Sequence, residues 1–295
     1  MLRNRRASAA HFAAGRPAKK TDGLVAAGTN GTPSTRAASA QLACISGLRP
    51  SASHAADGRR IRAGTGIPDN RGGYMKAVLF GATGMVGQGV LRECLLDTDV
   101  EIVLAVVRNA SLPQHDKLRE IVHQDVSDLA AIEDRLSAYD ACFFCLGVSS
   151  VGMKEETYRR VTYDLTVSVA KTLAKLNPTM TFIYVSGAGT DSTERGRSMW
   201  TRLKGRTENA LLQIPFKAVF LFRPAYIQPL HGIRTKTRWY GAAYALMRPL
   251  YPLLKMLFPN YVTTTECVGR AMLIVTKRGF SEPVLENRDI NRMCG

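Results

Sequence analysis

Three glycines at fixed spacing, Gly81, Gly84 and Gly87, are the residues of this sequence whose chemistry is easiest to read; they stand in Gly81-Ala82-Thr83-Gly84-Met85-Val86-Gly87. The apolar run Lys76–Phe80 precedes them and an amphipathic run, 88–96, follows, which puts the pattern at a strand-to-helix turn. At such a turn the first glycine permits a tight reversal, the second lets backbone N–H groups approach a pyrophosphate, and the third lets helix pack closely on strand. The phosphate charge then meets the positive end of the helix dipole. A site that prefers NAD places an acid about 20 residues beyond the glycines, where it accepts from the ribose 2′-OH. That neighbourhood here reads Val106-Val107-Arg108-Asn109 and holds no acid. Arg108 offers a planar fork suited to a 2′-phosphate, the alternative being a solvated residue at a strand end. The ligand implied is a dinucleotide, NADP in preference to NAD.

Other chemistries find little support. The five histidines, His11, His54, His115, His123 and His231, pair with no His or Cys at ligand spacing, so no metal is expected. His123 reads as a structural residue at a strand end. No GxSxG elbow is present. Of the six cysteines, Cys142 and Cys145 form a CxxC, but it lies inside the apolar run Ala141–Leu146. Along a strand, residues three apart face opposite sides, and a redox CxxC sits instead at a helix N-terminus. Buried core thiols are expected there, with no disulfide framework.

The elements that must hold the glycine turn follow from the texture after Met75, where short apolar runs alternate with amphipathic stretches. Strands are expected at Lys76–Phe80, Glu101–Val107, Glu120–His123, Ala141–Leu146, Thr181–Ser186 and Ala218–Arg223. Helices are expected at 85–96, 127–137, 154–175, 197–212 and 264–277. In the third helix Tyr158, Val161, Leu165, Val169 and Leu173 recur on one face. The fold class is α/β: a Rossmann doubly wound parallel sheet with helices on both faces and a small C-terminal helical cap. The divisions are a basic leader over 1–74, the dinucleotide-binding domain over 75–228, and the cap with the last helix and strand over 229–295.

The net charge of +16 suggests nucleic acid until it is divided along the chain. Residues 1–74 hold 12 Lys/Arg and 3 Asp/Glu, and the remaining 221 hold 28 and 21, so the leader carries +9 of the excess. A specific nucleic-acid binder is therefore the weakest reading. The leader lacks an apolar period and is expected to be disordered. Met75 stands directly before the first strand, so the leader reads first as an over-extended start; its Arg-rich, acid-poor composition also fits an organellar transit segment, and a basic arm touching nucleic acid or membrane is the remaining reading. The expected location is the cytoplasm, with membrane association, or an organelle if the leader is a transit peptide. The apolar stretch Tyr240–Phe258 is interrupted by Arg248, Pro249, Pro252 and Lys255 and is too short to span a bilayer. It reads as a lid packed on the domain or as a peripheral membrane contact, the latter helped by Arg234, Lys236 and Arg238.

Together, GATGMVG, Arg108, Asp125-Val126, Cys145-Leu146-Gly147, Ser186, Lys204 and Arg223-Pro224 resemble the atypical and extended short-chain dehydrogenase/reductases. Within that group they are most similar to Tat-interacting oxidoreductase-like and epimerase-like proteins with a CLG strand end and a KGxxE segment, here Lys204–Glu208. The resemblance covers about residues 75–287. It implies that Asp125 and Val126 lie against the adenine, and that Cys145, Leu146 and Gly147 line the path along ribose and pyrophosphate. Thr162 stands where many relatives carry Asn or Asp. The resemblance also implies that Ser186 orients a substrate oxygen, that Lys204 binds the nicotinamide ribose and lowers a tyrosine pKa, and that Arg223-Pro224-Ala225 passes beside the nicotinamide. Pairing through the helix at 154–175 makes a homodimer an expectation.

One departure matters more than these matches. The family's dyad is Tyr-x-x-x-Lys, and the residue four before Lys204 is Trp200. Indole has a single N–H, no acceptor lone pair, and no titration in this range, so it cannot exchange a proton with a substrate oxygen. Tyr226 is the nearest replacement by topology, the competing reading being a tyrosine packed in the pocket. Two functions follow: an NADP-dependent oxidoreductase or epimerase-like enzyme on a small carbonyl or hydroxyl substrate, or a non-catalytic NADP-binding sensor or scaffold.

Overall fold

The computed structural model of the chain describes residues 74–234 and 249–294. The expectations for the leader, and for Lys236, Arg238 and 240–248 of the apolar stretch, lie outside those residues. The first strand, β1 (Met75–Phe80), is apolar on both faces because helices cover both. Ala77 and Leu79 enter one core, and Val78 and Phe80 enter the other.

The remaining strands are β2 (Val100–Val107), β3 (Leu118–Val122), β4 (Ala141–Phe144), β5 (Thr181–Val185), β6 (Ala218–Arg223), β7 (Tyr226–Gln228), β8 (Val262–Thr264) and β9 (Val284–Glu286). The helices are α1 (Met85–Leu96), α2 (Glu155–Arg159), α3 (Leu165–Leu176), α4 (Met199–Leu211), α5 (Tyr251–Leu257), α6 (Thr265–Arg278) and α7 (Asn287–Cys294). Seven strands form one parallel sheet in the order β3-β2-β1-β4-β5-β6-β9, while β7 and β8 pair separately. The order reverses between β1 and β4, so this α/β Rossmann sheet has its switch point beside the glycine turn.

One core lies under α1, α6 and α7, the other under α3, α4 and a 3-10 segment, Ala130–Arg135. The helix expected over 127–137 is reduced to that segment, where Leu129, Ile132 and Leu136 reach the core at three- and four-residue steps. The third helix also departs from its expected pattern. A π-helical turn, Arg160–Asp164, joins α2 to α3. The extra residue rotates what precedes it, so Thr162 is buried and Val161, expected on the inner face, is 37% exposed.

Helix α6 clamps α1 at two points without side chains. A Cβ on Gly89 would stand 2.6 Å from the Thr265 carbonyl oxygen, and one on Gly269 would stand 2.7 Å from Glu93 Cγ. The short elements after β6 complete the edge of the sheet. Arg223 Nη1 reaches Glu286 at 3.2 Å. The Ala225 N–H donates to Asn287 Oδ1 at 2.9 Å, and Asn287 Nδ2 donates to the Asn260 carbonyl at 3.0 Å. Helix α5 buries none of its residues and leaves Leu253, Met256 and Leu257 exposed, with Leu250 and Phe258 exposed beside it. Among the described residues, no helix is long and apolar enough to cross a membrane.

Candidate functional site

Strand register brings the sequence's candidate residues to one edge of the sheet. Phe80 aligns with Val106 and Phe144, Val107 with Val122, and Val185 with Phe222. The carboxyl ends therefore present, in spatial order, Asp125, Arg108, the glycine turn, Cys145–Gly147, Ser186 and Pro224. Ligands of open parallel sheets bind in the crevice at this edge.

Gly81 leaves β1 with φ of +86°, a conformation that side chains disfavour, and a Cβ there would stand 2.8 Å from the Cys145 carbonyl carbon. Gly84 closes the turn by donating to Gly81 O at 2.9 Å and stands as the N-cap of α1. A Cβ on Gly87 would come within 2.0 Å of Gly81 O, so only glycine lets α1 start this close to β1. Gln88 Nε2 pins the loop from the side, donating to the carbonyls of Thr83 at 3.2 Å and Arg234 at 3.1 Å. The first N–H groups of a helix have no intrahelical acceptor, so those at the start of α1 are available to an anion held at the glycine turn. These residues fit a dinucleotide's pyrophosphate.

The flanks of that cradle are open. Arg108 is exposed at the end of β2; its carbonyl accepts from Gln124 Nε2 at 2.6 Å, and its guanidinium has no hydrogen bond or ion pair among the described residues. Asp125 is exposed and accepts from the Ser127 hydroxyl at 2.5 Å and the Ser127 N–H at 3.0 Å; those bonds hold its carboxyl below the usual range. Val126 is anchored in the core beneath it. Leu146 is half-buried and Gly147 is exposed. Cys142 and Cys145 point into opposite cores, and burial pushes Cys145 up to about 12, which is not the environment of a redox thiol.

The β5–β6 half turns its charged groups inward. Ser186 is half-buried and its hydroxyl donates to the Phe222 carbonyl at 3.1 Å. Lys204 is buried, and its ammonium donates to the Tyr184 hydroxyl at 3.0 Å and to the Val185 carbonyl at 3.2 Å. Burial brings Lys204 down to about 8, although Glu208 acts in the opposite sense. Tyr184 is fully buried and pushed well above its ordinary value by desolvation, so the phenol that Lys204 touches is a weaker acid than a free one. Arg223 forks onto Glu208, with Nε 3.0 Å from Oε1 and Nη2 on Oε2, and also donates to Ser192 Oγ at 2.6 Å. Its side chain is thereby held beneath the edge.

Trp200 is half-buried four residues before Lys204, with its ring over Gly189; a Cβ on Gly189 would lie 3.8 Å from Trp200 Cη2. The Tyr226 hydroxyl donates to Gln228 Oε1 at 2.9 Å, and burial beside Tyr251 raises its pKa. His123 Nε2 lies 2.6 Å from the Asp128 carbonyl, a local loop contact. Tyr184 and Glu208 received no role from the sequence. Glu208 carried a signal, since it follows Lys204 by four residues and so shares its helix face. Tyr184 carried none, being one apolar-run residue among several.

A dinucleotide site at the switch point of a parallel sheet defines an NAD(P)-binding Rossmann domain. Residues 81–211 match a family model described as NAD(P)H-binding. The chain is 28% identical over 170 residues to the protein FMP52, mitochondrial, of Saccharomyces cerevisiae, an alignment covering 57% of this chain and 71% of that one. It is 30% identical over 155 residues to the FMP52 protein of Eremothecium gossypii, covering 52% and 66% respectively. The chain thus spans about two thirds of the length of these relatives. Among solved structures, Candida albicans Gre2 in complex with NADPH superposes with a TM-score of 0.55 at 14% identity, over 72% of this chain and 78% of that one. The fold is the one shared with that structure, an α/β Rossmann fold around a parallel sheet.

Proposed function

We propose that this chain binds NADP on the Gly81–Gly87 turn and functions as a nucleotide-responsive protein without the tyrosine-driven hydride transfer of the short-chain dehydrogenases. The observation that carries the cofactor choice is Arg108, whose guanidinium stands exposed and without a partner among the described residues at the end of β2. The loss of chemistry rests on Trp200, together with the enclosure of the Lys204 ammonium against Tyr184 and Val185. The test is thermal melting of the full chain with each nucleotide, since a ligand stabilises the state it binds by mass action. NADPH is expected to raise Tm more than NADH; equal shifts, or none, remove the case for Arg108. Turnover of NADPH with a broad panel of carbonyls overturns the non-catalytic part.

The second reading is an oxidoreductase or epimerase-like enzyme on a small carbonyl or hydroxyl substrate, favoured by Ser186 at the sheet edge and by Tyr226 just past Pro224. If it holds, Tyr226→Phe abolishes NADPH oxidation while leaving the melting shift intact.

The relatives named above are called mitochondrial, and the leader has the composition of a transit segment. The organellar location is accordingly the one proposed here. Fusing residues 1–74 to a fluorescent protein tests it; cytoplasmic fluorescence refutes it. The exposed apolar residues of α5 favour a peripheral membrane contact, checked by flotation with vesicles. A homodimer through α2 and α3 is checked by sedimentation.

A further inference from the structure

Two thiols away from the nucleotide edge meet where α6 and α7 pack. Cys267 lies in the first turn of α6, its N–H capped by the Thr264 hydroxyl at 3.0 Å. Its sulfur reaches the Ile290 carbonyl at 3.6 Å and the Asn291 side-chain oxygen at 3.7 Å, both on α7. Cys294 follows those residues by four and three on the same helix, so its side chain continues the face that Cys267 touches. Cys294 thus stands on the α7 face that receives the Cys267 sulfur, with Tyr251 of α5 alongside. Cys267 is buried, whereas Cys294 is half-buried and open to a small reagent.

Their surroundings divide the labour. The Cys267 thiol, and beyond it the Arg270 guanidinium, hold Cys294 below the usual thiol range in spite of partial burial and the carboxylates of Glu266 and Glu93. Cys267 is pushed up by the neighbouring Cys294 thiol and by burial. A sulfur with thiolate character, some exposure and an adjacent second thiol is the arrangement that reacts with disulfides. The other described cysteines contrast with it: Cys94 and Cys142 are sealed in the cores, and Cys145 is raised by burial.

We propose that Cys294 and Cys267 are an attacking and a resolving cysteine whose reagent is a low-molecular-weight disulfide such as oxidised glutathione. The Cys294 thiolate attacks one sulfur of the reagent, forming a mixed disulfide and releasing one glutathione thiolate. Cys267 then gives its proton to that thiolate and attacks Cys294 Sγ, closing the intramolecular disulfide and expelling the second glutathione. Two protein thiols are oxidised and one glutathione disulfide is reduced to two thiols. Once Cys294 is in the mixed disulfide it no longer presses on the Cys267 proton, so the second step follows from the first. The bond ties α7 to α6, the helix that clamps α1, and oxidation is expected to raise Tm.

The experiment takes the reduced full chain with Cys44, outside the described residues, replaced by serine, and exposes it to oxidised glutathione. Peptide mapping is expected to find one linked peptide joining Cys267 to Cys294, and the intact mass is expected to fall by two hydrogens. Cys267→Ser should leave glutathione standing on Cys294; Cys294→Ser should yield neither adduct nor link. In the unoxidised protein, Cys294 should be the described cysteine that iodoacetamide alkylates fastest. A link between other cysteines, no link at all, or Cys294 alkylated no faster than Cys145 overturns the proposal. Should either serine variant fail to fold, the linked peptide and the alkylation order decide it.

Discussion

The two halves of the sheet's carboxyl edge treat charge in opposite ways. Between β3 and β1, Asp125 and Arg108 stand in solvent and the glycine turn directs backbone donors outward. Between β5 and β9, Lys204 and Arg223 are buried against Tyr184, Glu208 and Glu286. The first half keeps its polar groups available to a ligand; the second has made them part of the packing. Basic residues at one sheet edge can therefore serve a ligand in one half and the packing in the other.

The sharpest way to break this contrast is Glu208→Ala. It leaves the Arg223 guanidinium buried and short of its main partner, a loss of about 4 kcal/mol. Folded variant should still show the NADPH melting shift, and loss of the shift with little loss of Tm would show that Arg223 serves the ligand instead. Next is Gly87→Val, whose Cβ would meet Gly81 O at 2.0 Å. A cost of about 3 kcal/mol is expected from the forced backbone movement, together with complete loss of the NADPH shift in thermal melts.

Lys204→Met gives a smaller, pH-dependent effect. Burial brings Lys204 from an ordinary 10.5 to about 8. Below pH 8 the folded state bears the full cost of a buried ammonium, and between these values the unfolded chain binds the extra proton, so stability rises with pH. Relative to Lys204→Met, the wild type should gain on the order of 2–3 kcal/mol between about pH 7 and about pH 10. Urea midpoints at the two pH values measure it, and a flat difference would mean that the ammonium is well solvated. The smallest effect is that of Arg108→Ala, expected to weaken NADPH about tenfold and NADH hardly at all, as losing one charge-assisted contact would. Titration calorimetry with both nucleotides checks it.

What could be read from the sequence was whatever depends on neighbours along the chain. The glycine turn declared itself because strand, turn and helix are contiguous, and α1 and β6 match their expected limits at 85–96 and Ala218–Arg223. The direction in which Lys204 and Arg223 point was not legible from their identities, because it depends on partners 15 to 63 residues away. The inward position of Thr162 was hidden because an extra residue in a helix leaves no mark on its apolar spacing. Strands β7, β8 and β9 have three residues each, too few for an alternation to show.

The Arg223–Glu286 contact and the Asn287 bonds to Ala225 and Asn260 have a consequence for synthesis. The glycine turn and its flanking strands leave the ribosome well before the far edge of the sheet, which stays open until residues 284–294 have emerged. A chain truncated a dozen residues short would keep α6 against the nucleotide turn, beside an arginine that lacks one of its two carboxylates.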